Sequence, residues 1–219
     1  MLIDIVSDTI CPWCYIGKRK LEAAMASRPD VRVQFGWRPF QLNPEMPRAG
    51  MDRQAYLSAK FGGPERAARI YESIRAAGAE QGIDFRFDRI RRAPSTLDSH
   101  RLIRWAAAPG LQDAVVEALF RAYFTEGQDI GDQAVLTRIG AECGMDADEV
   151  ADRLRRDVDL EVVRQEDATA RSMGINGVPC FIIDRKYAVS GAQDVPVFHK
   201  VFDLALNETV PAAEMAPTT

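Results

Sequence analysis

The sequence predicts an α/β fold in which a strand–helix–strand unit and a strand–strand–helix unit are split by a large all-helical insertion. Three patterns carry this. Residues 1–7 and 31–37 alternate apolar and polar side chains as half-buried strands do. Residues 53–173 hold a succession of helix-period segments separated by glycine and proline breaks. Short apolar runs return only at 180–183 and 187–189. A chain of 219 residues, 47% hydrophobic, can bury one large core, which suits a single body carrying an insertion. Residues 1–44 and 174–219 are assigned to the split α/β unit and residues 45–173 to the insertion.

The first strand sets Ile3 and Ile5 against Asp4 and Val6, and the pattern turns helical at Pro12, where a missing N–H costs nothing in the first helical turn. Ile16, Leu21, Ala24 and Met25 recur near one face of that helix until Pro29 and Asp30 stop it. Val31, Val33, Phe35 and Trp37 then alternate with polar or small residues in a second strand, parallel to the first through a right-handed crossover. The prolines of residues 38–44 end it. Seven helical segments follow, at 53–61, 65–81, 97–108, 111–124, 132–142, 147–156 and 160–173. The two late strands flank a short polar connection, Asp184-Arg185-Lys186, that predicts an antiparallel hairpin. Asp194 caps a final helix through Asn207, with Pro196 in its first turn, and the alanine-, proline- and threonine-rich residues from 211 onward read as a frayed tail.

Composition excludes some classes of function. The formal charge of −4 is mild and both signs are mixed along the chain, so no basic patch argues for nucleic acid. The opening apolar run lacks a basic leader, is too short for a signal peptide, and no segment reads as membrane-spanning, so the expected location is the cytoplasm. Four cysteines in a cytoplasmic protein are a poor structural framework, which favours redox or metal chemistry for the closely spaced pair Cys11 and Cys14. That pair sits where the first strand gives way to the first helix. With Pro12 as the first helical residue, Cys11 lies at the helix entrance, where unpaired N–H groups and the positive dipole end favour a thiolate, and Cys14 lies one turn further in.

Removing the insertion leaves β-α-β followed by β-β-α, the order of the thioredoxin core. Cys11-Pro12-Trp13-Cys14-Tyr15 after a first strand, together with residues 174–179 (Gly-Ile-Asn-Gly-Val-Pro) before a later one, resembles the DsbA family of thioredoxin-fold oxidoreductases. Residues 37–44, Asp98-Ser99-His100-Arg101-Leu102 and Ser190-Gly191-Ala192-Gln193 are similar to its FrnE-like branch. The resemblance implies that Val178-Pro179 is a cis bond facing the dithiol and that the residue before the proline pairs its backbone with a bound peptide or thiol. It also implies that Cys11 is the exposed attacking thiol and Cys14 the buried resolving one. The expected activity is thiol–disulfide exchange on protein or small-molecule disulfides, as reductase, isomerase or oxidase. No metal or organic cofactor is expected beyond the redox-active disulfide, with glutathione a possible electron donor. The expected partners are thiol- or disulfide-containing substrates, not nucleic acid or membrane, with a homo-oligomer possible.

Pro12, Trp13, Val178, Pro179, Cys180 and His100 are the expected substrate-contacting residues around this pair. Cys180 departs from the family pattern. It reads either as a small apolar residue opening a buried strand or as a third exchanging thiol, and a three-sulfur metal site lacks an obvious fourth ligand. His100 reads as a structural polar contact or, from its place in the resembling stretch, as a group facing the cysteines. Asp8 reads as a local turn or cap residue, Cys143 as a buried thiol and His199 as surface-facing. Kappa-class glutathione transferases and 2-hydroxychromene-2-carboxylate isomerases are similar in general order but typically carry serine at the Cys11 position, which makes a glutathione-dependent isomerase the alternative enzyme. A non-catalytic redox-sensing or thiol-binding chaperone module is the alternative from another class.

Overall fold

The computed structural model describes residues 1–209, so the expectation for the tail from residue 211 falls outside the described residues. A four-stranded sheet has the order β2-β1-β5-β6, formed by β1 (Leu2–Ser7), β2 (Gln34–Pro39), β5 (Cys180–Ile183) and β6 (Tyr187–Ser190). β1 pairs with β2 in parallel, Leu2 opposite Gln34, and with β5 antiparallel, Val6 opposite Cys180. The crossover between β1 and β2 is helix α1 (Pro12–Ala26), and α9 (Val195–Thr209) closes the chain against α1. This is the thioredoxin-like architecture that the element order predicts.

Between β2 and β5 lie α2 (Arg53–Phe61), α3 (Pro64–Ala79), α4 (Leu97–Trp105), α5 (Gln112–Phe124), α6 (Gln133–Glu142), α7 (Ala147–Arg155) and α8 (Leu160–Ser172). The insertion is not wholly helical. Met51–Asp52 (β3) and Arg92–Ala93 (β4) form a two-stranded antiparallel ribbon, too short to leave a periodic pattern and paired across about forty residues of sequence. The second strand of the core also starts later than its alternation suggests, since Val31 still donates its N–H back to Arg28 O and pairing with β1 begins at Gln34, and it runs through Pro39. Proline is tolerated there because β2 is an edge strand.

The core and the insertion share one hydrophobic interior. Ile3, Ile5, Cys14, Ile16, Phe181 and Ile183 from the core pack in the same buried cluster as Phe85, Leu102, Phe120 and Phe124. Charge also joins the two. Lys18, almost fully buried on α1, meets Glu22 of its own helix and Asp113 and Glu117 of α5, the last two at 3.2 Å. Tyr15 donates to Glu117 at 2.8 Å. Burial alone would raise the Glu117 carboxyl, yet Lys18, the Tyr15 hydroxyl and Arg19 together hold it below its ordinary value of 4.5. A carboxylate lowered by folding stabilises the fold fully above that ordinary value, and the contribution fades as pH falls through the lowered one. Glu117→Gln is expected to cost about 1 kcal/mol at pH 7, and chemical denaturation at pH 3 should show most of that difference gone.

The predicted hairpin between β5 and β6 is a tight one. Lys186 N–H donates to Ile183 O at 3.0 Å, and Asp184 and Arg185 between them have φ of 49° and 57°. Two left-handed residues are what a type I′ turn requires, and glycine meets that requirement without strain. Arg185→Gly is therefore expected to raise stability by about 1 kcal/mol, read as a higher denaturation midpoint at unchanged slope.

Candidate active site

Cys11 is the N-cap of α1, with extended φ and ψ of −93° and 111°, and Pro12 occupies the first turn. Its N–H donates to Asp8 O, and its own carbonyl accepts from Cys14 N–H, both at 3.0 Å. The Cys11 thiol points across at the cis Val178–Pro179 bond and donates to Val178 O at 3.5 Å. Gly17 lets the helix come this close: a Cβ there would stand 2.9 Å from Pro179 Cγ and 3.1 Å from Phe181. Pro179 O in turn accepts from Gly191 N–H, which ties the loop to the end of β6.

Both cysteines are free thiols and both are covered, Cys11 to 4% exposure and Cys14 to 1%. Cys11 is thus less open than its expected role as an exposed thiol suggests, because the cis-proline loop roofs it. Trp13, at 39%, is the exposed member of the motif. Burial pushes the Cys14 thiol well up, the adjacent Cys11 sulfur adds to this, and the Ser7 hydroxyl and Asp8 N–H partly offset it.

Cys180 is not brought into this group. It is paired with Val6, so both side chains leave the same face of the sheet, and they pack with Phe40 and Ala170 in a second cluster. Cys11 and Cys14 belong to the main cluster with Ile3 and Ile5 on the opposite face. The Cys180 thiol is likewise raised by burial. The site therefore holds two sulfurs rather than three, and among the described residues no group of three or more His, Cys, Asp or Glu side chains could hold a metal ion.

His100 lies on α4, buried, with Nε2 donating to Phe40 O at 3.2 Å and standing 3.4 Å from Asp8 Oδ1. It reaches the turn before Cys11 rather than the cysteine sulfurs. Asp8 is fully buried and more than a local cap: its Oδ2 accepts from Leu42 N–H at 2.7 Å. His199 is half-buried and contacts Ser27 and Ala24 O at the end of α1, and Cys143 is only half-buried. Two contributors escaped the sequence reading. Gly17 had a legible signal, a glycine inside a helix pattern, whereas Ser7 beside Cys14 had none.

A thioredoxin-like fold with a cysteine pair at the entrance of its first helix and a cis-proline loop over it defines a class of disulfide-exchange protein. The model of the DSBA-like thioredoxin domain matches residues 2–203, and the chain belongs to that family of thiol–disulfide oxidoreductases. The match is to the domain at large and does not resolve the FrnE-like branch. Among solved structures the chain is similar to a probable DsbA oxidoreductase, SCO1869, from Streptomyces coelicolor, with 33% identity and a TM-score of 0.87 over 96% of this chain and 92% of that one. The uncharacterized protein YwbO of Bacillus subtilis is 29% identical over 90% of this chain and 94% of its own length. The cytosolic disulfide reductase DsbM of Pseudomonas aeruginosa, solved with GSH, shares the fold at 20% identity, with a TM-score of 0.65 over 94% of this chain and all of that one. No helix among the described residues is long and apolar enough to cross a membrane.

Proposed function

We propose that the chain reduces disulfides in the cytoplasm by thiol–disulfide exchange through Cys11 and Cys14, as a member of the FrnE-like branch. The observation that carries this is the placement of both thiols within one helical turn, with Cys11 Sγ against the carbonyl of Val178 in the cis-proline loop. The Cys11 thiolate attacks one sulfur of a substrate disulfide and the other sulfur leaves as a thiolate. The Cys14 thiolate then attacks Cys11 Sγ, breaks the mixed disulfide and releases the second substrate thiol. Two electrons and two protons pass to the substrate, and the Cys11–Cys14 disulfide remains. Two molecules of a small thiol such as glutathione return it to the dithiol.

Pro12 and Trp13 between the cysteines, and Val178 and Pro179 opposite, are the substrate-facing residues of this scheme. Trp13 supplies the exposed apolar contact. Support for the reducing direction comes from the potentials of glutathione pools: a strongly oxidising pair would rest reduced in the cytoplasm and wait for an oxidant. The presence of cysteine at position 11 and a second at 14 speaks against the isomerase alternative. Equilibration of the pure protein with glutathione buffers, followed by tryptophan fluorescence, tests the direction. A potential below about −200 mV is expected, and one near −120 mV would make the protein an oxidase instead.

A further inference from the structure

The turn that carries the dithiol is gripped by the insertion, and at two adjacent residues. Ser99 Oγ donates to Thr96 O at 2.9 Å, which leaves its lone pairs to accept from Thr9 Oγ1 at 2.8 Å. Next to it, His100 stands with Nε2 3.4 Å from Asp8 Oδ1, a buried oxygen with no hydrogen-bond partner among the described residues, while its N–H goes to Phe40 O at 3.2 Å. Ser99, His100, Thr9 and Asp8 are all buried, so these contacts are made away from water, where an unmade polar partner is costly.

One of these residues, Asp8, in turn holds the backbone of Cys11. Asp8 O accepts the Cys11 N–H at 3.0 Å, and the Ser7 hydroxyl and the Asp8 backbone partly offset the upward push of burial on the Cys14 thiol. The Asp8 carboxylate is fixed from a third side by the Leu42 N–H, and Phe40 O, two residues earlier in that segment, takes the His100 Nε2–H. Beyond the sheet and α1, the turn is thus anchored by α4 directly and by the segment 40–42, which His100 of α4 meets at Phe40 and α8 holds at Gln41.

We propose that Ser99 and His100 of the insertion are positioning residues that set the redox equilibrium of the dithiol through Thr9 and Asp8. This rests on the Cys11–Cys14 exchange reading above. Groups that donate to a sulfur favour the reduced, ionisable form over the disulfide, so slackening the turn shifts the pair toward the disulfide. The insertion is then a part of the redox centre, and its polar hold on the turn is read out as a change in potential.

The test is a double-mutant cycle read in glutathione redox buffers. Thr9→Val and Ser99→Ala are each expected to move the exchange constant at least threefold toward the disulfide, and the double variant no further than either single one, because both remove the same hydrogen bond. Thr9→Ser, which keeps the hydroxyl, should restore the wild-type constant. His100→Ala should shift it in the same direction. Leu102→Ala, a fully buried α4 side chain turned to the hydrophobic interior, is the packing control and should lower stability without moving the constant. Constants unchanged in folded Thr9→Val and Ser99→Ala, additive shifts, or an equal shift in Leu102→Ala would overturn the proposal. If His100→Ala does not fold, the Thr9–Ser99 cycle decides. A wild-type protein with no Cys11–Cys14 redox transition at all would instead remove the exchange reading on which the proposal stands.

Discussion

Cys11→Ser is expected to abolish turnover of a protein disulfide, reducing the rate of insulin reduction by at least about a thousandfold, since a serine hydroxyl is scarcely ionised near neutrality and does not form a disulfide. Cys14→Ser should behave differently. Cys11 can still attack, but nothing inside the protein resolves the product, so a covalent complex between Cys11 and the substrate should accumulate and show on a non-reducing gel. Reductant should release it. The asymmetry follows from the structure: Cys11 is the cap that meets Val178 O, while Cys14 is the more deeply covered thiol, raised by burial. Its raised state gives a second expectation for the wild-type protein, that resolution speeds up as pH rises and more Cys14 ionises. Undiminished insulin reduction in both variants would sink the dithiol scheme.

The largest stability effect is expected at Arg101, a fully buried guanidinium on α4. It donates to Asp98 Oδ1, Val158 O and Arg153 O, each at 2.6 Å, and so satisfies the final carbonyls around the end of α7 and a nearly buried carboxylate together. Arg101→Met keeps much of the volume but leaves these acceptors without their donor. Removing one partner of a buried charged pair costs about 3–5 kcal/mol. For a chain of this size that corresponds to a fall in melting temperature on the order of 10 °C. Scanning calorimetry of the variant measures it, and a fall of less than about 2 °C would show that Arg48 and Gln133, which also reach Asp98, compensate.

Much of the candidate site was legible from local pattern. Cys11 and Cys14 declared themselves by spacing and by standing where a period-two run becomes a helix, and Pro12 marked the helix start. Val178-Pro179 acquired meaning only through resemblance, since a cis bond leaves no trace in periodicity. Cys180 shows the limit most clearly. Adjacent to the proline in sequence, it reads as a neighbour of the dithiol, but its antiparallel pairing with Val6 turns it to the other face of the sheet. A strand places alternate side chains on opposite faces, and which face a residue takes depends on register.

His100 and Asp8 make the complementary case. Each has a plausible local role when read alone, a helical polar contact and a turn cap, yet they meet across ninety-two positions of chain and act on the same turn. The amino-acid sequence by itself determined the order of elements, the split thioredoxin-like core and the dithiol at a helix entrance, because hydrophobic periodicity, caps and breakers act over a few residues. Only the tertiary structure decided the register that removes Cys180, the depth to which Cys11 is covered, and the hold of α4 on residues 8 and 9. Those depend on contacts between distant segments, whose partners a local pattern does not name.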